Sequence, residues 1–290
     1  MLLRIAGIVF PIFIIVLVGF FYGRRHRPEM TAANRLNMAI FLPALIFSVL
    51  AGKTFNLSDN LGIATGCVLV VIGSGFLAWP LARLFGYEAK TLVPPVMFNN
   101  VGNMGLPLLL LTFGDQALGA AVVLMLVVTI MQFSLAPWLL GGNLQMSVLW
   151  REPLIVAAIL GIIVSLCELP VWTPIMTASK MLGDISLGLM IFSLGVRLST
   201  ANLSAWGIGL AGAIATPVTG MLIAFGFGSL AGLSRIDRDI LFVFGALPPA
   251  VSCFIFAEQY NQEPEKVASI VMIGNASALL FIPLALALRL

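Results

Sequence analysis

Charged side chains are scarce in this sequence of 290 residues, of which only 9% are Asp, Glu, Lys or Arg. Soluble globular domains carry about 25%. Apolar residues make up 60% of the chain, and the mean hydropathy is +1.10. So few polar groups cannot cover a soluble surface, which excludes soluble enzymes, nucleic-acid-binding modules and disordered regulators. We interpret the chain as an all-α polytopic membrane protein that has the lipid bilayer, and no nucleic acid, among its partners.

Cysteine and histidine are also rare, with three cysteines and one histidine. The cysteines lie in apolar runs without paired spacing, and His26 lies among loop arginines, so the sequence predicts no disulfide framework and no metal site. No H-E-x-x-H motif and no phosphate-binding glycine loop is found. We therefore predict no enzymatic activity and no cofactor beyond a coupling proton or sodium ion. An intramembrane enzyme would require Asp184 and Glu258 to converge.

Apolar runs bounded by charges, prolines and glycines predict ten membrane-spanning helices, since a span needs about 20 mostly apolar residues. The predicted spans are 3–22, 32–50, 61–85, 91–113, 117–140, 153–169, 173–196, 205–230, 240–260 and 267–288. An even number of spans places both termini on one side of the membrane. Because Arg24, Arg25 and Arg27 follow the first span, that loop is predicted to be cytoplasmic and both termini to lie outside.

The two halves of the chain resemble each other at a shift of about 147 residues. Residues 46–58 match 191–204, and residues 112–124 fall on 259–271. This similarity predicts a first repeat at 1–141 and a second at 150–290, with five spans each. An odd number of spans turns the second repeat upside down, which is typical of secondary transporters with a site at the repeat interface.

The fourth predicted span is interrupted in the stretch VPPVMFNNVGNMGLPLLL, residues 93–110. Its prolines and glycines weaken a helix, and its three asparagines lie at membrane depth, where free amides need partners. We predict that the helix ends near Phe98 and restarts near Met104 with Asn103 as its N-cap. The candidate substrate-binding residues here are Asn99, Asn100, Gly102, Asn103, Gly105 and Pro107.

The ninth predicted span is interrupted at the corresponding place, in FGALPPAVSCF, residues 244–254. Two interrupted helices at matching positions point to a transporter's binding site. The freed N–H groups and the positive ends of two half-helix dipoles would attract an anion, and Pro248, Pro249 and Ser252 complete the candidate substrate-binding set. Two alternatives are proline-kinked helices used only for packing, and a channel for an anion or another solute that is lined by the same breaks.

The segment NNVGNMGLPL resembles the Asn-x-Gly-x-x-Gly-x-Pro signature of the auxin efflux carrier family, at Asn100, Gly102, Gly105 and Pro107. FLPALIF (41–47) and LPPAVSCFIFAEQY (247–260) also agree with that family. The resemblance implies a five-plus-five inverted repeat with crossed, broken helices 4 and 9, related to the bile acid/sodium symporters. It also implies transport of organic anions by elevator-type or rocking alternating access.

Two features set this chain apart within the family it resembles. It lacks the long loop that many plant members carry between helices 5 and 6, so we expect a bacterial member in the inner membrane. Ser252 and Cys253 follow the second break, where members of the family often carry Asn. The change at Ser252 removes an amide that would donate to a carboxylate, which argues against auxin-like substrates.

Ionisable groups within spans are rare and usually functional. Asp184 lies inside the seventh span, and its counterpart in the first repeat is Asn37; we predict an ion-coupling role for both. Lys180 lies one turn before Asp184, so a structural ion pair is the alternative. Glu258 ends the ninth span, and we expect Glu258 and Lys180 to act in gating or at an interface.

Together these patterns predict a secondary active transporter, of symport type if an ion is coupled, for a small organic anion such as a carboxylate. Helices 3–5 and 8–10 would carry the site past a scaffold of helices 1, 2, 6 and 7. The sequence is compatible with a homodimer.

Overall fold

The computed structural model describes residues 2–52, 55–56, 58–142, 150–199 and 205–289. Its regular secondary structure is helical throughout these ranges. The α-helices of the first half are α1 (Leu2–His26), α2 (Thr31–Leu36), α3 (Leu42–Leu50), α4 (Leu61–Leu84), α5 (Ala89–Met97), α6 (Leu106–Phe113) and α7 (Leu118–Leu139). Those of the second half are α8 (Pro153–Leu166), α9 (Thr173–Ser199), α10 (Trp206–Leu230), α11 (Arg235–Gly245), α12 (Ser252–Gln259) and α13 (Pro264–Arg289).

Seven of the predicted spans are helical segments long and apolar enough to cross a membrane, within the ranges described. The other three are the two interrupted spans, α5 with α6 and α11 with α12, and the shorter helix α8. The division into repeats at 1–141 and 150–290 stays a prediction. The segments matched between the halves, 46–58 and 191–204, run partly into residues outside the described ranges.

Two five-residue turns are π-helical, with the wider i to i+5 hydrogen bonding: Asn37–Phe41 and Val101–Gly105. In each case a proline, Pro43 or Pro107, lies two residues after the turn. A proline ring clashes with the carbonyl four residues before it and removes one helical donor. The wider turn relieves that clash, so both helical segments continue through their proline. Neither π turn is predicted by the sequence pattern.

One group of helices consists of α1, α2, α3, α8 and α9, in which α9 packs against both α1 and α3. Glycines bring α1 and α9 into backbone contact. A Cβ atom on Gly19 would lie 2.3 Å from the Phe192 carbonyl oxygen, and one on Gly195 would lie 2.1 Å from that of Val16. Any larger residue at either glycine would therefore push the two helices apart.

A second group is centred on α10, which packs against α4, α11 and α13. At the contact between α10 and α11, a Cβ atom on Gly220 would lie 2.2 Å from the Gly245 carbonyl oxygen. Because α11 ends at Gly245, this contact fixes the point at which the ninth predicted span is interrupted. The helices α5 and α13 also pack together, which brings the fourth predicted span into the same group.

A polar network closes one end of this second group. The Thr91 hydroxyl at the start of α5 donates to the Glu263 carboxylate at 2.6 Å, and the Gln262 amide donates to the Thr91 hydroxyl at 3.1 Å. Lys266 forms an ion pair with Glu263. The start of α5 is thereby tied to the loop between α12 and α13, although the two segments are far apart in sequence.

Candidate functional site

The first break, residues 98–100, is shorter than the sequence predicted. Helix α5 ends at Met97 and Phe98 is extended, which confirms the predicted end of the helix. The predicted restart near Met104 is wrong, because the π turn begins at Val101. The predicted N-cap role of Asn103 is also wrong, since Asn103 lies inside that turn. The Asn100 carbonyl accepts the N–H groups of Met104 and Gly105 at 3.3 and 3.1 Å, and this pairing starts the helix earlier.

The second break, residues 246–251, separates α11 from α12 where the sequence predicted an interruption. Pro248 and Pro249 lack backbone donors, so α11 cannot continue through them. Helix α12 begins at Ser252.

The two breaks bond to each other. The Asn100 N–H donates to the Pro248 carbonyl at 2.7 Å, and the Ala250 N–H donates to the Phe98 carbonyl at 2.8 Å. These two bonds form an isolated antiparallel bridge between Asn99 and Pro249. Unwound backbone within a membrane must find partners inside the protein. Here each break supplies the partners of the other.

Asn99 lies in the first break, and its side chain stabilises the second break. Its side chain is 2% exposed, and its Nδ2 donates to the carbonyls of Phe244 at 3.2 Å and Leu247 at 3.0 Å. In a continuous helix the Phe244 carbonyl would accept the N–H of residue 248, which is a proline. The Asn99 amide supplies the donor that Pro248 lacks. Its Oδ1 is buried and has no hydrogen-bond donor among the described residues.

Asn100 is 3% exposed, and its Nδ2 donates to Oδ1 of Asn275 at 2.8 Å. Asn275 in turn donates through Nδ2 to the Pro249 carbonyl at 3.0 Å and to the Val271 carbonyl at 2.8 Å. Helix α13 comes this close because Gly274 precedes Asn275; a Cβ atom there would lie 2.4 Å from Cδ of Pro249. Asn275 thus holds both breaks. Asn275 was not among the site residues predicted from the sequence, in which its only signal is a single amide in the middle of an apolar span.

Gln132 in α7 holds the second break in a similar way. The Ser252 hydroxyl donates to Oε1 of Gln132 at 2.9 Å, and Nε2 of Gln132 reaches the Cys253 sulfur at 3.5 Å. Gln132 is 5% exposed and was also missed from the sequence. Asn275, on the last long helix of the second half, therefore bonds the first break, and Gln132, on the last long helix of the first half, bonds the second break.

Three residues at the restarts of the two interrupted spans, Gly102, Asn103 and Ser252, are partly exposed. Their backbone N–H groups have no hydrogen-bond acceptor in the part of the chain that the structure describes, and neither does the side chain of Asn103. Free N–H groups at the start of a helical segment carry a partial positive charge. Groups of this kind can bind a carboxylate or another anion, and the bridge links the two segments that carry them.

The motif glycines allow close packing around the break. A Cβ atom on Gly105 would lie 2.6 Å from Cδ1 of Leu247 in the second break. One on Gly102 would lie 3.3 Å from Cε of Met190 in α9, which belongs to the other group of helices. Pro107 lies in the first turn of α6.

Known proteins resemble this chain over nearly its whole length. The model of a family described as "Membrane transport protein" matches residues 5–148 and 143–286. The chain belongs to this family, the auxin efflux carriers. An uncharacterized transporter of Methanocaldococcus jannaschii, MJ1031, is 24% identical and aligns over 96% of both chains. The uncharacterized transporter YfdV of Escherichia coli K12 is 23% identical over 90% of both chains. The family and the apolar helices identify a multi-pass membrane transport protein.

In this auxin efflux carrier family member, Asp184 and Lys180 line a cavity of about 560 Å³. Both side chains are exposed, and they do not pair with each other within the described residues, so the alternative of a structural ion pair is not supported. Asn37 lies outside this cavity, 4% exposed in its π turn, and its Oδ1 has no donor among the residues described. The ion-coupling role of Asp184 and Asn37 stays a prediction.

Glu258 is exposed near the end of α12, consistent with a position at an interface, but its gating role stays a prediction. It does not line the cavity that holds Asp184. An intramembrane enzyme would require Asp184 and Glu258 to converge. The two carboxylates do not share the cavity that Asp184 lines.

Proposed function

We propose that this chain is a secondary active transporter of a small organic anion, a carboxylate, bound where the two broken helices meet. The observation that carries the proposal is the set of three acceptor-free N–H groups, those of Gly102, Asn103 and Ser252, at the two helix restarts. The surrounding groups are neutral amides, a hydroxyl and backbone, so the local field favours negative charge without a cationic side chain.

The asparagines divide into two roles in this proposal. Asn103 faces the ligand with its side chain, together with the Ser252 hydroxyl, which can turn from Gln132 to the carboxylate. Asn99 and Asn100 instead hold the two breaks, because their side-chain donors are already engaged with Phe244, Leu247 and Asn275. This assignment keeps the bridge intact while the substrate binds.

The packing supports a moving unit built on the breaks. We assign the group of α1, α2, α3, α8 and α9 as the scaffold, and the group of α4–α7 and α10–α13 as the unit that carries the substrate. This division corresponds to a five-plus-five inverted repeat in which helices 4 and 9 cross. Alternating access by an elevator-type or rocking motion would move Gly102 past Met190 on α9. We place the carrier in a bacterial inner membrane with both termini outside.

Labelled acetate, malonate and succinate test the proposal in counterflow assays on proteoliposomes. Asn103→Ala and Ser252→Ala each remove a donor to the charged carboxylate, so we expect a loss of affinity of about tenfold or more. Ser229→Ala is the matched control, since the Ser229 hydroxyl donates only to the Phe225 carbonyl of its own helix. Affinities equal to that of the control in both site variants would refute the site. Conductance without saturable counterflow would favour the channel.

A further inference from the structure

The cavity that holds Asp184 and Lys180 has the size of a ligand site. Its volume of about 560 Å³ falls within the range of about 300–1,000 Å³ found for small-molecule pockets. One wall comes from α3 and α9, and the other from the end of α6, the start of α7 and the loop between them. The cavity therefore lies between the two groups of helices, in the cleft that the proposed motion would open and close.

Unpaired charges of both signs line this cavity. Lys180 and Asp184 lie on α9, and Asp115 comes from the loop before α7 on the opposite wall. None of the three forms an ion pair within the described residues. The lining residues that the structure describes carry two carboxylates and one ammonium group, a formal charge of −1. A simple anion gains little here, whereas a molecule that also carries a positive group has two carboxylates to approach.

The cavity ends close to the first break. Leu187 lines it, and Met190, one helical turn further along α9, approaches Gly102. Three residues of an α-helix rise by about 4.5 Å. Gly102 and Asn103 do not line the cavity themselves, so a molecule would have to pass Leu187 and Met190 to reach their acceptor-free N–H groups. The cavity favours a positive group, and the break favours a negative one.

We propose that this cavity is a receiving site that selects substrates with an ammonium group as well as a carboxylate. Asp184 and Asp115 receive the ammonium group from opposite walls, and Lys180 receives the carboxylate before it moves to the break. The inference rests on the proposed function and narrows its substrate class to amino acids and related zwitterions. It assigns Asp184 a role in substrate recognition.

Binding of paired ligands to the purified full-length protein tests this inference. Each amino acid in a panel is compared with the carboxylic acid that lacks only its amino group, for example alanine with propionate and glutamate with glutarate. We expect at least one amino acid to bind more tightly than its partner acid by calorimetry. The inference is wrong if no amino acid in the panel does so.

Charge-neutralising variants test whether Asp184 causes the tighter binding of the amino acid. Asp184→Asn should weaken binding of the preferred amino acid about fivefold, the scale of one solvent-exposed ion pair, and leave its partner acid nearly unchanged. Asp59→Asn is the matched control, because Asp59 does not line the cavity. Equal losses in the two variants would overturn the assignment to Asp184.

The outcomes separate this inference from the proposed function. If carboxylates bind and depend on Asn103 while an amino group adds nothing, the receiving site is refuted and the carboxylate transporter stands. If amino acids bind more tightly through Asp184 but without dependence on Asn103, the binding site at the breaks fails instead.

Discussion

Replacing Asn275 should remove one of the links between the two breaks and lower the stability of the protein. In Asn275→Ala, the Asn100 amide loses its acceptor and the Pro249 carbonyl loses a donor, both in buried positions. Leaving a buried polar group without a partner costs about 1–3 kcal/mol, and hydrogen bonds within membranes lie toward the low end of that scale. The Val271 carbonyl adds little because it lies within α13 and keeps the helical bond. We therefore expect the free energy of unfolding to fall by about 2 kcal/mol, as the sum of two stranded groups.

The measurement is reversible unfolding of the purified protein in mixed micelles, followed by circular dichroism. Ser277→Ala is the matched control: it lies two residues away on α13, and its hydroxyl donates to the Gly274 carbonyl of its own helix at 2.8 Å and to the Ala213 carbonyl of α10 at 3.4 Å, but to neither break. Asn275→Asp keeps the acceptor for Asn100 and should recover part of the loss. If Asn275→Ala unfolded with the same free energy as Ser277→Ala, the amide link between the breaks would not contribute as its geometry indicates.

Three further predictions concern other contacts. Gly220→Ala should prevent recovery of monodisperse protein in size-exclusion chromatography, because its Cβ would lie 2.2 Å from the Gly245 carbonyl oxygen; Gly226→Ala on the same helix meets nothing within 4 Å and should be stabilising by about 0.5–1 kcal/mol. Gln132→Glu adds negative charge beside Ser252 and should weaken carboxylate binding at least tenfold relative to Gln132→Met, as measured by calorimetry; equal affinities would contradict an anion site. Partial burial raises the pKa of Glu263, but hydrogen bonds from Lys266 and Thr91 outweigh it and hold the pKa below the usual 4.5. The stabilising effect of the Glu263 carboxylate is therefore complete above pH 4.5 and is lost as the pH falls through the lower pKa of the folded state. Glu263→Gln should therefore make the melting temperature less dependent on pH over that acidic range. Melting temperatures of wild type and variant that fell in parallel with pH would contradict a role for this network.

The interruptions were predictable because prolines, glycines and asparagines are costly inside a membrane helix, and 93–110 and 244–254 contain them together. The bridge between them was not predictable in detail. Which carbonyl pairs with the Asn100 N–H depends on three-dimensional register, which neither segment encodes alone. The π turn is a further example, because it shifts hydrogen bonds by one residue and leaves the composition of the helix unchanged.

Asn275 and Gln132 show a second limit of the sequence. A single amide in an apolar span signals that some partner exists, but not which segment supplies it. Lys180 and Asp184 show the opposite case. Their i, i+4 spacing suggested an ion pair, yet both side chains line a cavity and remain separate. Lys precedes Asp here, which is the weaker orientation for an ion pair on a helix.

The bridge between Asn99 and Pro249 also bears on how the chain is made. The two residues are about 150 positions apart, and synthesis at about 5–20 residues per second separates their emergence by about 8–30 s. During that time the first break has no second break to bond with, and its asparagines must rest against water, lipid headgroups or the insertion machinery. If the ribosome stalls before residue 250, the nascent chain carries unpaired polar groups in its first break. Membrane quality control could recognise those groups.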